Sequence, residues 1–304
     1  MLPTDPATDD GEASSEASSA ASPEPSFTPA EEPSPRLPPA EAPAEPRQRW
    51  RLTFSRDPVA ADRVGRAALE EWQETLAGSR LPFASVDTSG SGRPRIAFAA
   101  PLPAAARGEA ELADVWLLER RPLWALREAL ADRLPAAHHW IAAEDVWLGE
   151  PALAGSVVAA DWRIDLAAPA LDRTRVAVAA GQMIAARSLP RTRAKGTSEK
   201  RYDLRLLLDE VVVDEELGSI DSSAGEATDR VVVRVRTRFD PELGAGRPEE
   251  VVAAIAESAG VALKIESLVR VRLVIAGSAG SPARARAGGP GHSGRPGRWG
   301  GPIR

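Results

Sequence analysis

Residues 50–58 read Trp50-Arg51-Leu52-Thr53-Phe54-Ser55-Arg56-Asp57-Pro58. Trp50, Leu52 and Phe54 alternate with Arg51 and Thr53, the two-residue period of a strand with one buried face. Asp57-Pro58 then predicts a helix start, because aspartate accepts from free amide groups and proline suits the first helical position. Val64, Ala68, Leu69, Trp72 and Leu76 form the apolar stripe of that helix, and Gly78 marks its end. A turn-rich loop, residues 87–94, leads to short strands at 95–99 and 112–118. Pro122 opens a second helix with Leu123, Leu126, Leu130 and Leu134 on one side, Pro135 stops it, and residues 141–148 close the run as a strand. The order is β-α-β-β-α-β.

The same order returns downstream. Trp162, Ile164 and Leu166 alternate with Asp161, Arg163 and Asp165. Residues 171–186 predict a helix through Val176, Ala180, Met183 and Ile184, and 203–213 a strand. A polar loop at 219–229 precedes a strand at 231–239. Arg247-Pro248-Glu249-Glu250 starts a helix whose Val251, Val252 and Ile255 face inward, and 263–274 is the last strand. The expected fold is α+β, two tandem ferredoxin-like βαββαβ sandwiches at residues 47–152 and 153–276. Residues 1–46 are rich in Pro, Ala, Ser and Glu, and 277–304 in Gly, Arg and Pro. Neither stretch has the apolar surface to offset ordering entropy, so both are expected to be disordered tails.

Charge is unevenly placed within the net of -6. The first tail carries about -9 and the last about +5, which leaves a near-neutral body with no global attraction to nucleic acid. The sequence contains no cysteine, so it supplies no disulfide, thiolate nucleophile or sulfur ligand for a metal. No apolar run approaches the roughly 18 residues of a spanning helix, and residues 1–5 lack a basic, apolar leader. These features predict a cytoplasmic protein without membrane contact. The aromatic set is dominated by tryptophan, mostly inside strand-like or helix-like patterns, which suggests core or interface roles.

Three stretches of the first half resemble the radical SAM-linked protein family. Residues 51–57 resemble its strand-to-helix passage, where Ser55 and Asp57 match a Ser-His-x-Asp pattern and Arg56 replaces the histidine. Arg93-Pro94-Arg95-Ile96-Ala97-Phe98, followed by Pro101-Leu102-Pro103, resembles the family's Arg-Pro…Phe…Pro-Leu-Pro segment. Glu109, Glu111 and Asp114 fall where the family places acids. Asp203-Leu204-Arg205 resembles its second-half Asp-Leu-Arg strand. The Gly-Phe-Asn-Pro that precedes the Arg-Pro in the family is Ser89-Gly90-Ser91-Gly92 here. The resemblance implies a radical SAM protein as partner. It implies no activity and no cofactor.

Each candidate site has a bland alternative. The loop 85–95, with Ser91, Arg93 and Arg95, could cradle a phosphate through amides and guanidinium groups, or be a glycine-rich turn. Glu109 and Glu111, two residues apart and so on one strand face, could serve acid–base chemistry with Asp114, or sit paired to an arginine such as Arg93. Arg187, Arg191, Arg193, Lys195, Lys200, Arg201 and Arg205 form the densest basic run, suited to phosphates, to an acidic partner, or to water alone. Arg234, Arg236 and Arg238 share a face, as do Arg270 and Arg272, with Asp161, Arg163 and Asp165 between them. A cross-strand charge ladder is the favoured reading there, and an RNA-facing sheet would need stacking aromatics that are missing. His138 and His139 are adjacent and point to opposite sides, and His292 falls in the tail, so no metal site is expected.

The leading expectation is a non-catalytic companion of a radical SAM enzyme. The alternative is an RNA-binding or RNA-modifying module using the basic loops, and an independent enzyme using the three acids comes last.

Overall fold

The computed structural model describes residues 44–85, 92–168, 173–195, 198–214 and 229–277. Ser91, His292, most of both expected tails and most of the 219–229 loop lie outside these residues. The fold is mixed α+β, mostly strands around one large mixed sheet.

The alternation at Trp50 builds β1 (Gln48–Arg56), and the apolar stripe builds α1 (Arg66–Gly78). Then come β2 (Ile96–Phe98), β3 (Arg107–Leu117), α2 (Leu123–Leu130) and β4 (His138–Val146). β1 lies between β3 and β4, β2 pairs the far side of β3, and all these pairings are antiparallel. Trp50, Leu52, Phe54, Ala113, Val115 and Leu117 turn one face to Trp72 and Leu76 of α1 and Leu126 and Leu130 of α2, forming a buried core.

After α3 (Leu153–Ser156) come β5 (Val157–Ala168), α4 (Arg173–Ala185), β6 (Pro190–Lys195), β7 (Ser198–Asp203), β8 (Leu208–Val213), β9 (Asp229–Asp240), β10 (Gly244–Ala245), α5 (Pro248–Ala259) and β11 (Lys264–Ile275). Antiparallel pairing gives the order β8-β9-β5-β11. A second core joins Trp162, Ile164 and Leu166 to Val176 and Met183 of α4 and Val251 and Ile255 of α5.

The halves share one sheet. β11 runs parallel to β3 through Val269↔Arg107 and Arg270↔Gly108, so the strand path is β10-β9-β5-β11-β3-β1-β4. Ala99, Leu102 and Ala106 of the first half are buried in the second core.

Several local expectations change. Asp57-Pro58 does not start α1. The Asp57 amide donates to the Ala137 carbonyl, a short 3-10 helix spans Ala61–Arg63, and Gly65 at φ 64° breaks the chain before Arg66. Residues 204–207 are not strand, because the Asp203 carboxylate accepts from the Leu189 and Arg205 amides and starts a 3-10 helix, Leu204–Leu207. Arg191, Arg193, Lys195, Lys200 and Arg201 of the basic run, expected as a loop, lie on the two-stranded hairpin β6–β7, while Arg187 precedes it and Arg205 follows in the 3-10 helix.

Candidate functional site

Of the acids that match the family motif, Glu111 and Asp114 are buried and bound by arginine. Asp114 is fully buried and holds two guanidinium groups, Arg49 at 2.9 Å from its Nε and Arg51 at 2.9 Å from its Nε. Arg49 also donates to the Glu150 and Pro151 carbonyls in the linker between the halves. Glu111 accepts from Arg270 Nε at 2.9 Å and from its terminal nitrogen, and Arg270 is 1 % exposed. Arg270 also donates to the Ala100 and Pro101 carbonyls. Arg56, which stands where the family has histidine, donates to the carbonyls of Leu102, Pro103 and Ala106. The Pro-Leu-Pro segment is thus clamped by one arginine from each half.

Arg93 is not the partner of these acids. Glu109 faces Arg163 at 3.3 Å. Glu109 and Glu111 do not share a face: Arg163 and the Arg270 that aligns with Trp162 lie on opposite sides of the sheet, and β3 carries a register shift there. Arg270 and Arg272 also part company. A bulge at Val271 aligns Arg270 with Trp162 and Arg272 with Asp161.

At the end of β1, Ser55 stands opposite His139, whose Nε2 is 3.0 Å from Asp57, and Arg107 is 3.6 Å from the other Asp57 oxygen. His138 points the other way, toward Phe54 and Trp72. Burial there, with the Arg56 charge, holds its imidazole below the usual range. Among the described residues no three His, Asp or Glu side chains converge as a metal site.

The other motif residues pack locally. Pro94 is buried and its carbonyl accepts from Gln73, Phe98 meets the Trp72 ring edge-on, and exposed Arg95 stacks over Trp116 at 4.1 Å. Arg93 is exposed. Three of the seven basic residues are engaged by the hairpin's packing. Arg191 pairs with Glu257, Arg193 with Glu250, and Lys200 donates to the Glu242 carbonyl. Tyr202 donates to Glu250 beneath Arg193. Burial and Glu250 push the Tyr202 hydroxyl up to about 12. Burial would raise Glu250, but the Arg193 and Tyr202 hydrogen bonds outweigh it and hold its carboxyl below the usual range. Arg205 ties the end of α4 to β8 through the Ile184 and Leu208 carbonyls. Arg201 is exposed, and nothing is described of the Lys195 side chain.

The outer face of the second half carries the charge ladder. Asp161 is held by Arg236 at 2.6 Å and Arg272 at 2.7 Å, and these outweigh its burial to hold its carboxyl below the usual range. Arg234 pairs with Asp214. Arg163, Arg234, Arg236 and Arg272 line a cavity of about 380 Å³ with Asp161 and Glu210. A second cavity of about 380 Å³ lies among Arg187, Arg205, Arg238, Asp209, Leu206 and Leu208.

The sequence reading missed a set of exposed apolar side chains. Trp147 is 74 % exposed and Trp124 68 %, with Leu123, Leu148 and Ile141 also exposed. Gln48 draws the elements together, accepting from the Arg121 amide before α2 and donating to Asp145 near the end of β4. The Trp147 ring lies over Gly149, where any Cβ would collide with it. Tryptophan inside strand-like and helix-like runs reads as core, and Trp50, Trp72, Trp116 and Trp162 are core. The discriminating signal was Trp124 off the Leu123/Leu126/Leu130 spacing and Trp147-Leu148-Gly149 past a strand end.

Residues 91–238 match the model of a family described as an uncharacterized protein conserved in bacteria, DUF2344. That description makes no link to radical SAM proteins. No curated protein matches the chain. Two similar solved structures are a Cbf5–Nop10–Gar1 complex, at 8 % identity over 74 % of this chain and 48 % of that one with a TM-score of 0.43, and an archaeal box H/ACA sRNP Nop10–Cbf5 complex, at 9 % identity over 73 % and 47 % with a TM-score of 0.37. The chain spans about half the length of these matched chains.

Proposed function

We propose that the chain is a non-catalytic companion protein that docks on a partner enzyme through Trp124, Trp147 and Leu148. The observation that carries this reading is a pair of exposed tryptophans, one of them seated on a glycine, at one end of the first half. Exposed apolar clusters mark interaction surfaces, and tryptophan is enriched among residues that dominate binding energy. The motif acids favour the same view, since arginine already occupies Glu111 and Asp114. The resemblance to radical SAM-linked proteins supplies the class of partner, an iron–sulfur radical enzyme, and with it a reducing cytoplasmic setting. The two strand orders, β4-β1-β3-β2 and β8-β9-β5-β11, support reading residues 47–152 and 153–276 as two ferredoxin-like units joined edge to edge.

Affinity purification of the full chain from native lysate tests this. A co-purifying protein with a Cys-x-x-x-Cys-x-x-Cys motif and iron–sulfur absorbance is expected. Trp124→Ala with Trp147→Ala should reduce its recovery at least tenfold, since each such anchor contributes about 2 kcal/mol or more. Equal recovery by the variant, or no cluster-bearing protein, contradicts the reading.

RNA contact is a second reading, favoured by the arginine-lined cavity on the outer face. It predicts oligoribonucleotide binding that weakens with salt and with Arg234→Ala plus Arg272→Ala. Binding independent of salt eliminates it. The hairpin arginines are poor probes, because changing Arg191 and Arg193 also strips contacts to Glu257 and Glu250.

A further inference from the structure

The second cavity differs from the charge ladder in how its arginines are used. Arg205 is fixed by two backbone carbonyls, Ile184 and Leu208, neither of which neutralises its charge. Arg187 is exposed, follows the end of α4, and holds no carboxylate among the described residues. Arg238 is the one guanidinium here with an acid, Asp209. The lining therefore carries three positive charges and one negative charge around a volume of about 380 Å³, with the Asp203 carboxylate outside the lining but within electrostatic reach of Arg205. Such a volume lies inside the range of about 300–1,000 Å³ common for small-molecule sites. Leu206, which is 54 % exposed, supplies an apolar surface beside the charges.

We infer that this cavity binds a phosphate monoester, the phosphate on Arg187 and Arg205 and an apolar body against Leu206. A planar guanidinium fork matches phosphate oxygens in pairs, and Arg205 is already oriented, so little freedom is lost on binding. A monoester presents close to two negative charges at neutral pH, which the local excess of positive charge suits. A bridging diester presents one. The same chemistry can come from a free mononucleotide or from the 5′-phosphate end of an RNA strand.

Calorimetric titration of the full chain separates these sources, using AMP, adenosine, and one short oligoribonucleotide with and without a 5′-phosphate. The expected result is binding of AMP but not of adenosine, at least tenfold weaker in Arg187→Ala. That binding should also fall as pH drops below about 6, where the second phosphate proton returns. Arg187 makes no described contact whose loss would unfold the protein, and the variant's melting temperature should be unchanged. If the strand is the source, its 5′-phosphorylated form binds more tightly than AMP and depends equally on Arg187. If AMP binds and the two oligomers bind equally, the free mononucleotide is the source; equal binding of AMP by Arg187→Ala, or no binding of any monoester, overturns the proposal. Trp124 and Trp147 are untouched by this variant, so failure here leaves the docking reading standing.

Discussion

Arg270 illustrates how much a single buried charge can determine. Its guanidinium satisfies Glu111 and two carbonyls of the neighbouring half. Removing it leaves a carboxylate buried without compensation, an effect of about 3–5 kcal/mol. Arg270→Ala should therefore lower the urea unfolding free energy by that order. A loss under about 1 kcal/mol would place the pair outside the load of the fold. Gly108 belongs to the same group of contacts. A Cβ there would stand 2.5 Å from Glu111 Cγ, and Glu111 has nowhere to go while Arg270 holds it. Gly108→Ala is expected to cost about 1–3 kcal/mol by the same measurement. The identities of Glu111 and Asp114 as notable acids were legible in the sequence. Their partners were not, because Arg270 lies 159 residues from Glu111 and no local pattern announces such a contact.

Among the elements, the hairpin β6–β7 depends on Tyr202, Glu250 and Arg193. The folded Tyr202 hydroxyl is raised to about 12 from an ordinary 10. A raised value means the hairpin's contribution is complete below about pH 10 and is lost as pH climbs toward 12. Tyr202 is the one tyrosine in the chain, so phenolate absorbance reports it alone. Its midpoint should fall near 12 in the folded protein, and Tyr202→Phe should remove the alkaline loss of melting temperature. A midpoint near 10 would show the hairpin undocked. Glu250 and Asp161 work in the opposite direction. Their folded values lie below the ordinary range, so their contribution is present above about pH 4 and is lost as pH falls through the depressed values. Elements with strong periodic signals were readable: β1 and β5 from alternation, α5 from Pro248 at its start, the acids of its first turn and the inward-facing Val251, Val252 and Ile255. The hairpin was not, since Pro190–Lys195 has no apolar period and is held by charges on a distant helix. The bulge at Val271 was hidden for a related reason. Arg270 and Arg272 have same-face spacing, and only the pairing with β5 reveals the extra residue.

For the whole molecule, β11 beside β3 and the Arg270–Glu111 pair make the halves one sheet. Far-UV dichroism and tryptophan fluorescence should follow one urea transition, with probes in both cores at Trp72 and Trp162. Arg270→Ala should split it into two. The mixed α+β class was visible in the sequence, and the parallel joint between β11 and β3 was not, because it rests on two aligned residues. On the proposed docking reading, the exposed Trp124 and Trp147 are the ground for a partner. Hydrogen exchange on the full chain, alone and with its captured partner, tests that most directly. Protection concentrated at residues 121–126 and 145–149 is the predicted result. Unchanged exchange there, with protection on the outer face of β9 and β11 instead, would contradict it.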